Sequence, residues 1–420
     1  AWSPFPGAAT GAGGEIRDDD AVGRGGIFGI GVVGYCASNL FIPGYLIPGE
    51  VVGDGKLSKY ASALSIFIEG SNGATSYNNQ IGRPVTGGFC RTFEQGVRGE
   101  WRGWRKPILY SGGVGHVFEE QIEKGEPETG MLIVRFGGPA FPIGMGGGAA
   151  SSMMQGQNTE ALDFNSVQRG NAEMENRGVR VIRACVEMGD ENPIESIHDQ
   201  GAGGPSNMLT ELMGSKGGTV NIREIKLGDK TMSVAQIWSS EFQEGFGVLV
   251  WPKRIESFKK ICKREGVNCE VLGEITGSGN VVVNDPLNQQ MVVDLGLEEV
   301  LTHMPQKTFV SNRRTGGLKP LELPAMTVEE AVQAVFKLPS VGSKGWLVHK
   351  GDRSVTGLVA QQQSLLEPMP KAERALPSLV AELEADLGAG RVGRLTVANT
   401  WRFEDRSMLT PYAEARPVTT

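Results

Sequence analysis

Apolar positions recur along this chain in two rhythms, and each rhythm predicts its own kind of element. From Ser166 to Met188, Met174, Val181, Ile182, Cys185 and Val186 return at helical spacing and predict a long helix. Asn207–Met213 places Met208, Leu209 and Leu212 on one face and predicts a second. The glycine-bounded apolar runs Lys106–Tyr110 and Met131–Phe136 predict buried strands, and Ile194–His198 a further short one. Ala61–Glu69 is a periodic apolar stretch that predicts a helix stopped by Ser71-Asn72-Gly73. Residues 247–251, 255–264 and 269–275 read strand, helix, strand, an alternation that closes a sheet domain. Val281–Asp285 and Met291–Leu295 pattern as a hairpin. Thr327, with Glu330 three residues later, is a capping box opening a helix to Leu338 that is apolar on Val328, Ala331, Val332 and Val335. Residues 371–390 form an amphipathic helix on Leu379, Val380, Leu383 and Leu387, and the aromatic-containing stretch Leu395–Thr420 reads as an extended segment.

Composition changes the picture at the start of the chain. Glycine fills 60 of 420 positions, roughly double the usual share, and is densest before residue 50, which reads as a loop followed by a strand. A formal charge of −7 without a basic block excludes a phosphate-backbone binder, so no direct nucleic-acid ligand is expected. Five cysteines at irregular spacing, without a C-x-x-C pair or zinc-like histidine partners, fit a reducing compartment. No apolar run of about 18 residues predicts a membrane span. The start Ala1-Trp2-Ser3 lacks an initiator Met and a signal core, as expected of a chain from which a first segment is missing.

Candidate chemistry sits in three glycine clusters. Gly7-Ala8-Ala9-Thr10-Gly11-Ala12-Gly13-Gly14 precedes Arg17-Asp18. Glycines admit a phosphate to the backbone, arginine grips anions through two nitrogens, and aspartate holds a divalent cation. Gly144–Ser152 could cradle phosphate at a helix start, and Asp199 in His198-Asp199-Gln200-Gly201 could ligate Mg²⁺. Taken singly each pattern is more often a tight turn, and it is three of them in one chain that point toward a phosphate and Mg²⁺ site. His116, His198, His303 and His349 lack metal-ligand spacing and read as structural, and no G-x-S-x-G elbow or nucleophilic cysteine context is present.

Read together, SPFPGAATGAGGEIRD, SNGATSYNNQIGRPVTGGF, RFGGPAFPIGMGGGAASS, LDFNSVQRGNAEME, PIESIHDQGAGG and GDRSVTGLVAQQQ resemble phosphoribosylformylglycinamidine synthase of the large, single-chain type, collinearly from about Ser3 to Gln363. The resemblance implies an α+β and α/β fold, an incomplete aminoimidazole-ribonucleotide-synthetase-like sheet domain (1–120) packed on an α/β domain (125–300). A linker (301–324), the start of a second copy of the first domain (325–363) and an unmatched tail (364–420) follow. It also implies ATP and substrate contacts at Gly7, Thr10, Gly11, Gly13, Gly14, Arg17, Glu241 and Gln243, with Mg²⁺ held by Asp18 and Asp199. Set against the family, the chain begins after the catalytic histidine, diverges after Gln363 and lacks the glutaminase domain. The favoured expectation is therefore a catalytically incomplete subunit, possessing no catalytic residue of its own and binding protein partners through its tail. The alternative is a portion of the active ATP-dependent ligase. The enzyme reading implies a cytoplasmic location and the recruited-subunit reading an organelle.

Overall fold

The structure, a computed structural model, describes residues 3–52, 61–97, 99–148, 171–302, 306–312, 323–347, 393–397 and 407–411, with isolated positions between 153 and 170. The chain divides into two compact units, Ala1–Leu358 and Val359–Thr420.

The first unit opens with helix α1 (Pro4–Asp20), where the glycine density predicts a loop. The physical reason lies in its neighbours, because small residues let helices approach closely. A Cβ at Gly13 would stand 2.6 Å from the ring of Tyr77. Ser3-Pro4, a cap-type residue before a proline in the first turn, is the start signal that the glycines obscure. Strand β1 (Ile27–Ala37) follows, then α2 (Ala63–Ile81), which runs straight through Ser71-Asn72-Gly73 instead of stopping there. Gly73 is needed inside the helix, where a Cβ would lie 2.1 Å from the Phe5 carbonyl oxygen of α1. Strand β2 (Val85–Thr92), the small ribbon β3 (Glu94–Val97) and β4 (Glu100–Gly103), and β5 (Ile108–His116) complete this region. A three-stranded sheet has the order β2-β1-β5, with β1 parallel to β2 and antiparallel to β5. Ala8, Ala12, Val33, Tyr35, Phe67 and Ala74 form the core between this sheet and the two helices. Strand β5 is half exposed, not buried as its apolar run predicts, and Tyr110 and Val114 face outward.

The larger sheet begins at β6 (Leu132–Gly137) and continues after helix α3 (Ala172–Val186) with β7 (Ser196–Asp199). Helix α4 (Gly204–Met213), β8 (Gly218–Asn221), helix α5 (Val234–Ser239) and β9 (Gly245–Val250) come next. Helix α6 (Ile255–Glu265), β10 (Asn268–Ile275), β11 (Asn280–Asp285) and β12 (Gln290–Gly296) close it. The seven strands lie in the order β12-β11-β8-β10-β6-β9-β7. Side chains alternate across strand β9. Phe246, Val248 and Val250 pack with α3 and α6, whereas Leu249 packs with α4 and α5, so helices cover both faces. Phe136 and Phe246, paired across β6 and β9, stack at 5.2 Å between centroids, and Phe258 of α6 meets Phe136 edge-on at 5.4 Å. Two short helices follow, α7 (Leu297–Leu301) and α8 (Val328–Phe336). The predicted capping box of Thr327 and Glu330 opens α8, while its apolar positions Val328, Val332 and Val335 are exposed among the described residues.

In the second unit, β13 (Gly393–Val397) and β14 (Ser407–Pro411) pair antiparallel, so part of the stretch read as an extended segment is a two-stranded ribbon. The amphipathic helix predicted over 371–390 lies outside the described residues.

Candidate functional site

The last turn of α1 presents consecutive side chains to two different environments, since neighbours on a helix are rotated by about 100°. Arg17 points inward and is 1% exposed. Its Nη1 donates to Glu175 Oε2 of α3 at 2.5 Å and its Nη2 to Gln243 Oε1 at 2.7 Å, while Nε has no partner. Tyr77 Oη of α2 lies 2.6 Å from the same Glu175 oxygen and 3.0 Å from Glu244 Oε1, which also accepts from the Asn171 N–H at 2.8 Å. Burial raises the Glu175 carboxyl to about 7 against the pull of Arg17, and burial raises Glu244 as well. Burial opposes the charge on Arg17, but Glu175, Tyr77, Glu244 and Asp199 outweigh it and hold the guanidinium above its ordinary value.

Asp18, one residue on, faces a cavity of about 390 Å³ lined by Ala21, Val22, Gly23, Lys124, His198 and Asp199. Its carboxyl is raised first by burial and then by the charge of Asp199. Asp199 ends β7, and the turn after it is anchored from behind. Gln200 accepts from Arg135 Nε at 2.7 Å, and Arg135 is itself paired with Glu270 at 2.8 Å. His198 Nε2 pairs with Glu211 of α4, and its Nδ1 lies 3.0 Å from the Asp199 carbonyl oxygen.

Glu241 joins the two other glycine clusters. Its Oε1 accepts from the Gly148 N–H at 2.9 Å and from the Gly203 N–H at 3.1 Å, so a protein carboxylate takes backbone donors of the kind that receive phosphate. Gly147 permits this, because a Cβ there would fall 2.5 Å from Glu241 Oε2.

The residues expected to contact ATP, substrate and Mg²⁺ thus fall into three groups outside the glycines of α1. Arg17 and Gln243 meet in the buried network, Asp18 and Asp199 share the cavity, and Glu241 holds the glycine turns. Gly7, Thr10, Gly11, Gly13 and Gly14 lie within α1, where backbone N–H groups are used along the helix, and Thr10 Oγ1 donates back to the Pro6 carbonyl at 2.9 Å. The expected phosphate loop at these positions is therefore a helix. Tyr77, Glu175, Glu244, Lys124 and His198 were not legible as a group, since periodicity reports which face is buried and not what meets there. Among the described residues no cluster of three potential metal ligands occurs, and no helix is long and apolar enough to cross a membrane.

Residues 128–285 match the family described as AIR synthase related protein, C-terminal domain. A protein of Arabidopsis thaliana named probable phosphoribosylformylglycinamidine synthase, chloroplastic/mitochondrial, is 48% identical over 380 residues, 87% of this chain and 27% of that one. Among solved structures, Thermotoga maritima PurL complexed with FGAR superposes with a TM-score of 0.54 at 24% identity, covering 77% of this chain and 46% of that one. The same protein complexed with ATP gives 0.51 at 21%, covering 79% and 47%. The structural likeness establishes the fold, a mixed α/β arrangement of open sheets. The chain spans about a quarter of the length of the curated relatives it matches.

Proposed function

We propose, from the homology of this chain to one part of phosphoribosylformylglycinamidine synthase, that it supplies a Mg²⁺-nucleotide site for an ATP-dependent, amidine-forming ligation. The observation that carries this reading is the convergence of Asp18 and Asp199, from the end of α1 and the end of β7, on one cavity. Mg²⁺ is commonly held by one or two carboxylates, with phosphate oxygens and waters completing its shell, so a two-carboxylate site suits a nucleotide-bound ion. The donor set fits that ion: both ligands are hard oxygens, and their mutual repulsion is relieved by a cation. In the proposed reaction the amide oxygen of formylglycinamide ribonucleotide takes the γ-phosphoryl group of ATP, releasing ADP, and ammonia then attacks the activated carbon and, after losing its proton, expels the oxygen as inorganic phosphate to leave the amidine. Such chemistry depends mainly on positioning and charge stabilisation. Within it, Asp18 and Asp199 would hold the ion, which would supply positive charge to the polyphosphate, and the Arg135–Gln200 contact fixes the turn that carries Asp199. The glycines of α1 contribute by setting its close packing, which aims Asp18 and Arg17. Five free cysteines support a reducing compartment.

A second reading, a non-catalytic structural subunit, is favoured by Arg17, whose guanidinium is engaged by Glu175 and Gln243 inside the protein. Calorimetric titration of the folded chain with Mg²⁺-ATP separates the two. Binding that is lost in D18N and D199N supports the nucleotide site; absence of heat with the wild-type chain supports the structural subunit.

A further inference from the structure

The Asp18–Asp199 cavity carries one cation whose role no sequence pattern indicates. Lys124 stands on the cavity rim, in the connection leading to β6, where Asp199 and Glu211 are its charged neighbours. Among the described residues it makes no ion pair of its own, in contrast to His198, which is tied to Glu211 and to Asp199. A lysine serving only to neutralise the aspartates would sit in contact with one of them. Left at a distance, its ammonium opposes a bare divalent cation entering between the carboxylates, because like charges repel across a partly desolvated space. A cation that arrives with phosphate attached reverses the balance, since a phosphate oxygen gives the ammonium a charge-assisted partner.

We propose that Lys124 is the specificity-determining residue of this cavity, selecting a phosphate-bound divalent cation over the free ion by taking a phosphate oxygen at the rim. The inference rests on the nucleotide-site reading above and adds a residue and a discrimination to it. Its signature is a pair of effects of opposite sign. In K124M the affinity for Mg²⁺-ATP falls about tenfold or more, equivalent to about 1.4 kcal/mol. The affinity for Mn²⁺ alone, followed by electron paramagnetic resonance, rises severalfold. K124R, which keeps the charge, retains most of the nucleotide affinity. Thermal melting of each variant confirms that a rim substitution leaves the fold intact. Wild-type binding of Mg²⁺-ATP that K124M leaves unchanged overturns the role of Lys124 while sparing the site. Parallel weakening of both ligands also overturns it, since selection requires opposite signs. Failure of the wild-type chain to bind Mg²⁺-ATP overturns both the site and the selection.

Discussion

The phenol of Tyr77 stands between two buried carboxylates, 2.6 Å from Glu175 and 3.0 Å from Glu244, and has one hydrogen to give. Because a phenol donates only once, one carboxylate is served by Tyr77 at a time and the other depends on its remaining partners. For Glu175 that partner is Arg17; for Glu244 it is the Asn171 N–H. Substituting Y77F removes the shared donor without changing the ring that packs on Gly13. It is expected to lower stability by about 1–3 kcal/mol, the cost of leaving a buried polar group unsatisfied. Urea denaturation measures this, and an unchanged midpoint would show that the tyrosine hydroxyl is not holding the network.

The network also makes stability depend on pH. Glu175 has its carboxyl raised to about 7 from an ordinary 4.5, first by burial, so the folded protein holds a proton that the unfolded chain has released. The sign follows from linkage: the stability contribution is fully present below about 4.5 and is lost as pH rises through about 7. Asp20, raised mainly by burial to about 7, acts in the same direction. Stability measured across this window should fall with rising pH, and E175Q should flatten the slope by removing one of the contributing groups. A slope unaltered in E175Q would assign the dependence elsewhere.

Gly13 offers a test in which two effects have opposite signs. Helix propensity favours alanine over glycine by about 1 kcal/mol. The close approach of Tyr77, 2.6 Å from the position of an added Cβ, opposes it, and overpacking typically costs about 1–3 kcal/mol. Destabilisation of G13A is therefore expected, whereas G7A, where nothing stands within 4 Å of the added Cβ, should be neutral or stabilising. Should both variants gain stability, packing against α2 is not the reason for the glycine at position 13.

Glu241 is an internal acceptor for two glycine turns, so E241A removes the carboxylate oxygen to which the Gly148 and Gly203 N–H groups donate. The expected cost is about 1–3 kcal/mol, with amide exchange quickening at those two glycines before it does in β9. Exchange that stays uniform between wild type and E241A would mean that another acceptor replaces the carboxylate.

What the sequence determined by itself is most of the elements between residues 172 and 296, though not β8 or α5, which the periodicity does not predict. The helical recurrence of Val181, Ile182, Cys185 and Val186 records the face that α3 buries, and strand β9 and hairpin β11–β12 are written in local apolar patterning. Long motifs also indicated the family to which the chain is similar, because they preserve side-chain identity as well as pattern. Tertiary structure alone decided the form of the opening segment and the grouping of the candidate residues. Glycine serves both a phosphate-binding turn and a close helix crossing, and only the positions of Tyr77 and Phe5 show which one applies at Gly13 and Gly73. Arg17 and Glu175 stand 158 positions apart in the chain, and Asp18 meets Asp199 because β7 lies at one edge of a sheet whose strand order departs from the sequence order. Local periodicity measures how one element meets its core; which distant side chains then face each other is fixed by the order and crossing of elements, a property no short window of sequence contains.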